Sequence, residues 1–418
     1  MNLKGIGFVL SLRCNIKCRH CAPRAGPEHT QEMASSDVCR WLEEAKKIDG
    51  MRLAEFTGGE PFIYKDLETV VAKAGELFHH VMVLTNAFWA TDPERAKDVL
   101  SPLVAAGLNT LSISADDFHQ EFVPLQSVRN AISAAKRLGI ACVIQQAGYP
   151  KNSISPDELK CFRGKSLFLK YGVSPLGRAV DNHISSIDSV PFKILQSVGC
   201  PRLMDNTSLA RTVVPNGNVY ACDHASFLSY GRSNPFFLGN AHETTLSELI
   251  RKADEDPLFT AMATRGFRAL IDVVRSKGLE DKLEKSYPHQ CDLCAHLLGD
   301  GEMRAALQEF YSSDKHNHIV RVKTTSGEEI ELLVRELNPT SLLKRNKLKR
   351  KPLSVVEKLN LALINCHFVD DSRGGKIDLE KKIFPLSVLS RVDCFRVFQM
   401  AYGPDRESAK VLALSPDT

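Results

Sequence analysis

The chain has 418 residues, 43% of them hydrophobic, and a formal net charge of +4. That length is too great for one hydrophobic core and sufficient for two or three domains, while so slight a charge argues for neither nucleic acid nor a membrane surface as partner. Twelve cysteines are spread along the chain instead of crowding into a small secreted framework, so a reducing cytoplasm is expected, and no apolar stretch is long enough to span a bilayer.

The apolar run Gly5-Ile6-Gly7-Phe8-Val9-Leu10 comes first. Behind Lys4 it loosely mimics a signal peptide, but Arg13 stands directly before Cys14 and no small-residue cleavage site follows, so it reads as a first strand. Next comes Arg13-Cys14-Asn15-Ile16-Lys17-Cys18-Arg19-His20-Cys21, with cysteines spaced CxxxCxxC. Three thiolates on one short loop can hold three irons of a four-iron cluster, which four cysteines normally close. One iron then stays open, and an open metal position is where a ligand is chelated and chemistry starts. A structural zinc loop completed by His20 or His29 is the alternative on these residues alone.

Ser36 is a candidate cap for a helix in which Val38, Leu42, Ala45 and Ile48 recur at helical spacing. Residues 51–56 read as a strand, and Thr57-Gly58-Gly59-Glu60-Pro61 follows at its end. Glycines admit close backbone approach to a ligand, and Glu60 offers a carboxylate to an ammonium group; a plain turn is the other reading. Strand and helix then alternate as in a parallel α/β sheet. Residues 80–84 end in Thr85-Asn86, and residues 109–114 lead to Asp116 and His119. Residues 140–145 follow a helix closed by Gly139, and residues 166–173 lead to Gly177 and Arg178. Six such strands with right-handed crossovers make a partial (β/α)6 parallel barrel, whose active residues sit at the C-terminal ends of the strands. Ser, Asn and Asp at those ends also commonly cap the next helix.

The cysteine loop, with Gly58-Gly59-Glu60 one βα unit later, resembles the radical S-adenosylmethionine (SAM) superfamily over roughly residues 5–296. His20 departs from it, since that position is usually aromatic. The resemblance implies that Cys14, Cys18 and Cys21 hold a [4Fe-4S] cluster whose open iron chelates SAM, and that an external electron donor such as flavodoxin or ferredoxin supplies the electron that cleaves it to a 5'-deoxyadenosyl radical. It implies that Glu60, behind Gly58 and Gly59, takes the methionine amine, and that Asn86, Ser114 and Asp116 hydrogen-bond the methionine or ribose. Arg178 would line the pocket. No residue is assigned as catalytic, and His119 reads as a loop histidine, with a substrate-facing acid or base as the other reading.

Past residue 190 the order is Cys200-Pro201, an Asn216-Gly217 turn before Cys222, Leu238-Gly239-Asn240 before a helix with Leu246 and Ile250, and Cys291-Asp292-Leu293-Cys294. It resembles the SPASM and Twitch auxiliary domains, and the shorter Twitch form fits better because no cysteine lies between Cys294 and Cys366. That likeness implies a second [4Fe-4S] cluster on Cys200, Cys222, Cys291 and Cys294; a four-cysteine zinc site would use the same ligands. Cys39, Cys142 and Cys161 read as small hydrophobes, or as a hydrogen-atom donor if one faces the pocket.

The expected division is a core over residues 1–185, the auxiliary domain over 190–300 and a small α+β extension over 315–418. In the extension, residues 319–323 and 330–334 flank Thr325-Ser326-Gly327-Glu328 as a hairpin. A basic run at 344–351 reads as a solvated helix face or linker, with binding of an acidic peptide or of nucleic acid as the lesser reading, and amphipathic helices are expected over 354–366 and 386–402. Hairpin then helices is loosely similar to the winged-helix modules that hold leader peptides. The expected function is radical modification of a ribosomally made peptide or protein. Dehydrogenation or epimerisation of a small molecule such as an aminosugar is the alternative, and a zinc-stabilised binding protein the non-enzymatic one.

Overall fold

The computed structural model describes residues 4–48, 50–148, 153–155, 158–159, 166–173, 176–184, 190–195, 211–222, 234–256, 258–259, 261–262, 266–287, 290–312, 317–323, 329–335 and 367–371. The expected helices at 354–366 and 386–402, the basic run, the 325–328 turn, Cys161 and Cys200 lie outside them. The chain divides into two compact units.

The first unit draws on Met1–Leu195, Pro201–Ala253 and Glu284–Gly299. Its elements begin β1 (Lys4–Val9), α1 (Ser35–Lys46), β2 (Met51–Thr57), α2 (Leu67–Leu77), β3 (His80–Thr85), α3 (Pro93–Ala105) and β4 (Thr110–Ser114). They continue with α4 (Asp117–Gln120), α5 (Leu125–Arg137), β5 (Ala141–Ala147), β6 (Ser166–Tyr171) and α6 (Arg178–Asp181). The six strands pair in parallel, in chain order. This is the expected partial barrel. α1 begins at Ser35 behind Ala34 with no side-chain cap, so Ser36 falls inside the first turn and does not cap it. α3 does have a cap: the Asp92 carboxylate accepts the Glu94 and Arg95 N–H groups.

Successive side chains of a strand point to opposite faces, and parallel register aligns those faces across the sheet. Ile6 and Phe8 stand beside Ala54 and Phe56, these beside Val81 and Val83, and next come Leu111 and Ile113, then Cys142 and Ile144. All are buried in one core with Val38, Trp41 and Leu42 of α1, Val70 and Val71 of α2, Leu100 of α3 and Val128 of α5. The opposite, concave face carries Glu55, Thr57, Ser112, Ser114 and Gln145, and Gln145 donates to the Ser112 hydroxyl at 2.8 Å. Met82, Leu84 and Val143 share that face by register, so one face of the sheet is an apolar foundation and the other a basin of mixed polar and apolar side chains.

The sheet does not stop at residue 185. After β7 (Val190–Pro191) and α7 (Phe192–Leu195), β8 (Arg211–Val213) pairs in parallel with β1, aligning Ile6 with Arg211 and Phe8 with Val213. β9 (Asn218–Tyr220) and β10 (Phe237–Asn240) add antiparallel strands outside it. The Asn216-Gly217 turn lies between β8 and β9 as expected, with Gly217 at φ 81. The nine-stranded order is β10-β9-β8-β1-β2-β3-β4-β5-β6, so part of the segment expected in a separate domain extends the barrel sheet. α8 (Leu246–Glu255) follows, with Leu246, Leu249 and Ile250 in the same core, and β11 (Ser286–Tyr287) pairs with β7 ahead of α10 (Gln290–Gly299).

The second unit draws on Gln196–Cys200, Asp254–Leu283 and Asp300–Thr418. In it α9 (Phe267–Ser276) and α11 (Gly301–Ser312) pack together, with Leu270, Val274, Met303 and Leu307 buried. A three-stranded antiparallel sheet holds β12 (Asn317–Lys323), β13 (Glu329–Arg335) and β14 (His367–Asp371). The first two are the expected hairpin strands, in register from Asn317 opposite Arg335 to Lys323 opposite Glu329. No helix among the described residues is long and apolar enough to cross a membrane.

Candidate functional site

The loop after β1 folds back on itself: the Cys14 N–H donates to the Gly26 carbonyl at 3.1 Å and the Gly26 N–H to the Leu12 carbonyl at 3.0 Å. Cys14 and Cys18 are buried, Cys21 is half-buried, and none of the three is in a disulfide. Burial pushes the Cys14 thiol up to about 12. Burial raises Cys21 too, partly opposed by the positive charge of Arg178. Buried thiols of this kind become thiolates when a metal replaces their protons. A single zinc at about 2.3 Å from each sulfur would hold all three within about 4.6 Å of one another. Among the described residues the one trio of His, Cys, Asp or Glu with ligand atoms mutually within 4.8 Å is His20, Asp116 and His119, so the three sulfurs do not all lie that close together.

Gly58 and Gly59 bring the end of β2 against this loop. The Gly59 N–H donates to the Ser11 carbonyl at 2.7 Å and the Glu60 N–H to the Arg13 carbonyl at 3.0 Å. A Cβ on Gly58, at φ +150, would lie 2.4 Å from the Ser11 oxygen, and one on Gly59 would lie 2.0 Å from the Arg13 oxygen. The glycines expected to admit a ligand thus admit the chain's own backbone.

The Glu60 carboxylate is 2% exposed. It accepts the Phe62 N–H at 3.0 Å, the Thr85 hydroxyl at 2.8 Å and the Asn86 N–H at 2.8 Å. Burial pushes it up to about 7 although those three donors pull it down, and among the described residues it has no salt bridge. Such a desolvated, pre-oriented anion suits a cationic ligand. The Asn86 side chain reaches the other way, donating to the Asn15 carboxamide oxygen at 3.0 Å with its nitrogen 4.0 Å from the Cys14 sulfur. Asn86 therefore ties the Glu60 segment to the cysteine loop.

The remaining expected residues divide. Ser114 ends β4 on the concave face, half-buried. Asp116 is fully buried and its oxygens serve internal donors: the Phe118 and His119 N–H groups at 3.1 Å, the Ala147 N–H at 3.2 Å and His119 Nδ1 at 2.9 Å. It caps α4 and orients His119. Burial disfavours both charges, but each is favoured by the other, so Asp116 lies below its ordinary range and His119 well above its own. His20 is driven down to about 4 by burial and by His119. Its ring stacks on Phe118 at 4.5 Å, and its Nδ1 is buried with no hydrogen-bond partner among the described residues. Arg178 is turned onto the cysteine loop: Nε donates to the Cys18 carbonyl at 2.8 Å and a terminal nitrogen to the Ala25 carbonyl at 2.7 Å.

Sequence reasoning missed Thr85, Asn15, Phe118 and the ion pair of Arg19 with Glu121. Only Thr85, directly before Asn86 at a strand end, carried a positional signal. Cys142 faces the helix-side core, away from the basin, and Cys39 is half-buried in α1. Cys291 and Cys294 stand one turn apart in the first half of α10, and Cys222 follows β9.

Residues 8–158 match the Radical SAM superfamily. The chain is 20% identical over 307 residues to "putative peptide biosynthesis protein YydG" of Bacillus subtilis (strain 168), which spans 72% of this chain and 93% of that protein. It is 32% identical over 115 residues to the GTP 3',8-cyclase of Paenarthrobacter nicotinovorans, 27% of this chain and 31% of the cyclase. Among solved structures it is similar to BtrN in complex with AdoMet and 2-DOIA, at 15% identity and a TM-score of 0.40, over 69% of this chain and 97% of BtrN. It is also similar to Streptococcus suis SuiB bound to precursor peptide SuiA, at 17% identity and a TM-score of 0.40, over 60% of this chain and 65% of SuiB.

The backbone contact at Gly59 is open to direct test. Gly59→Ala places a methyl 2.0 Å from the Arg13 oxygen, so it must displace the residues that lead into Cys14. Iron uptake on anaerobic reconstitution should fall several-fold while the far-ultraviolet circular dichroism stays that of the parent. Full iron uptake would show that the loop yields at little cost.

Proposed function

This chain carries a radical SAM domain over residues 8–158, and we propose that it is an enzyme that modifies a peptide by hydrogen-atom abstraction. The observation that carries the reading is the arrangement at the barrel mouth: three buried or half-buried thiols on one loop, tied through Asn86 to a desolvated carboxylate. The superfamily implies a [4Fe-4S] cluster and SAM, and the residues fit both. Cys14, Cys18 and Cys21 would hold the cluster, and their sulfurs do not all lie within 4.8 Å of one another. Glu60, buried without a salt bridge among the described residues, would take the SAM ammonium, and Ser114 faces the same basin. Bound there, cluster and SAM supply a radical strong enough to remove hydrogen from an unactivated C–H bond.

The protein's own contribution is positioning. Thr85 and the Asn86 N–H fix the Glu60 oxygens before any ligand arrives, so no reorganisation is needed to meet the ammonium. The apolar helix-side core keeps the strands rigid, and Asn86 fixes the distance between carboxylate and cysteine loop. Cys222, Cys291 and Cys294, with Cys200, are proposed to hold an auxiliary [4Fe-4S] cluster; the CxxC pair on α10 supports this. An external one-electron donor would deliver the electron.

A peptide substrate is supported by the match along 93% of a protein described as a peptide biosynthesis protein. The extension beyond residue 315 is proposed to grip it. The cyclase match spans only 31% of that enzyme and gives no comparable support to a small-molecule substrate.

Reconstituted protein should contain about eight irons, and the triple change of Cys14, Cys18 and Cys21 to Ala should leave about four. Iron analysis checks this; none left in the variant would remove the auxiliary cluster. Glu60→Gln should keep its iron and bind SAM roughly tenfold or more weakly, because a charge-assisted hydrogen bond contributes about 1.5–3 kcal/mol; calorimetric titration measures it. A chain ending at Tyr311 should retain SAM cleavage to 5'-deoxyadenosine yet lose affinity for its precursor peptide. Equal affinity in full-length and shortened chains would turn the proposal towards a small molecule.

A further inference from the structure

The short α6 is joined to the cysteine loop through Arg178 and Asp181 and through the residues that flank it, Gly177 and Asn182. The Arg178 N–H donates to the Cys21 carbonyl at 3.0 Å, and Asn182 donates to the Arg19 carbonyl at 3.0 Å. Asp181 pairs with Arg24 at 2.8 Å on the exposed side. Gly177, at φ +55, lies so close that a Cβ there would be 2.1 Å from the Ala22 oxygen. Inside these contacts the Arg178 guanidinium, 9% exposed, is forked over the Cys18 and Ala25 carbonyls. No carboxylate pairs with it among the described residues. A guanidinium stays charged at any ordinary pH, and here it acts on the Cys21 thiol from one side and, more distantly, on Asp181, whose carboxylate is already paired with Arg24.

We infer that Arg178 is a positioning residue for the cluster: its guanidinium locks the cysteine loop before loading and then stabilises the one-electron-reduced state. This rests on the reading of Cys14, Cys18 and Cys21 as cluster ligands. Three thiolates on a doubly positive four-iron core carry a net charge of −1, and one electron from a low-potential donor makes it −2 with no proton moved. A fixed positive charge held against the ligand loop favours the second state over the first. Its effect is not diluted as in water, because the effective dielectric there is nearer 20 than 80. The two roles separate by chemistry, since a lysine keeps the charge but cannot span two carbonyls with a rigid fork.

The test compares full-length wild type with Arg178→Gln, Arg178→Lys and Asp181→Asn. Two quantities are read: amide hydrogen exchange of residues 18–26 in the iron-free protein, and the midpoint potential of the paramagnetic signal that the triple Cys14, Cys18, Cys21 alanine variant lacks. Arg178→Gln should speed exchange and make the reduced fraction at a fixed poise about tenfold smaller, which is about 59 mV for a one-electron couple. Arg178→Lys should speed exchange yet stay within about twofold of wild type in reduced fraction. Asp181→Asn breaks the pair with Arg24 in the same loop but leaves the Arg178 charge in place, so its reduced fraction should stay within about twofold of wild type whatever it does to exchange. Equal potentials in all four proteins, or equal losses in the Gln and Lys variants, would overturn the electrostatic role, and unchanged exchange would overturn the lock. If Arg178→Gln does not fold, Arg178→Lys decides: fast exchange with a wild-type potential sustains the inference and a lowered potential overturns it. Wild type that assembles no cluster on these cysteines defeats the functional reading itself, a result distinct from a failure among the variants.

Discussion

Everything at the barrel mouth depends on two backbones touching where side chains are forbidden. The amides of Gly59 and Glu60 take the carbonyls of Ser11 and Arg13, and the missing Cβ atoms of Gly58 and Gly59 leave room for that approach. This contact continues the β1–β2 pairing past the ends of the strands, which is why the Glu60 carboxylate and the cysteine loop have a fixed relation. Without it Asn86 would have no constant gap to bridge between the Glu60 oxygen and Asn15. Burial of the carboxylate, burial of the thiols and their spacing are downstream of one pair of hydrogen bonds.

The six barrel strands were legible because each must send alternate residues into one core. Ile6 and Phe8, Ala54 and Phe56, Val81 and Val83, Leu111 and Ile113 write that rule openly, and the strand ends followed within a residue or two. The three cysteines and Glu60 stood out in the sequence by their spacing, and the structure brings the cysteine loop and the Glu60 segment together through Asn86. What could not be read was the use of groups that serve the protein itself. Asp116 has the composition of a ligand-binding strand end, but four internal donors claim its oxygens, and nothing local distinguishes a carboxylate that faces a ligand from one that caps a short helix. Arg178 was expected to line the pocket, and its partners are main-chain carbonyls of the cysteine loop about 160 positions away, which have no side-chain identity to betray them.

The pairing of β8 with β1 escaped for a related reason. A strand of three residues has too few alternations to signal which face is buried, and its partner lies about two hundred residues earlier. With it in place, β1 is an interior strand with neighbours on both sides, and the loop that carries Cys14, Cys18 and Cys21 springs from the middle of a nine-stranded sheet. A central strand is among the last places in a fold to open locally, which suits a site that must hold its geometry.

The 160 positions between Cys18 and the Arg178 side chain that fixes its carbonyl also set an order of events on the ribosome. At roughly 5–20 residues per second, the three thiols are made about 8–30 seconds before α6 exists to hold them. The β1–β2 contact forms early, because only some 45 residues separate its strands. The loop therefore hangs from a partly built sheet, open to solvent, for the rest of that interval. Its cysteines are made well before the helix that encloses them. Iron delivered during translation would meet an accessible, pliable loop, whereas iron delivered afterwards must pass a closed one.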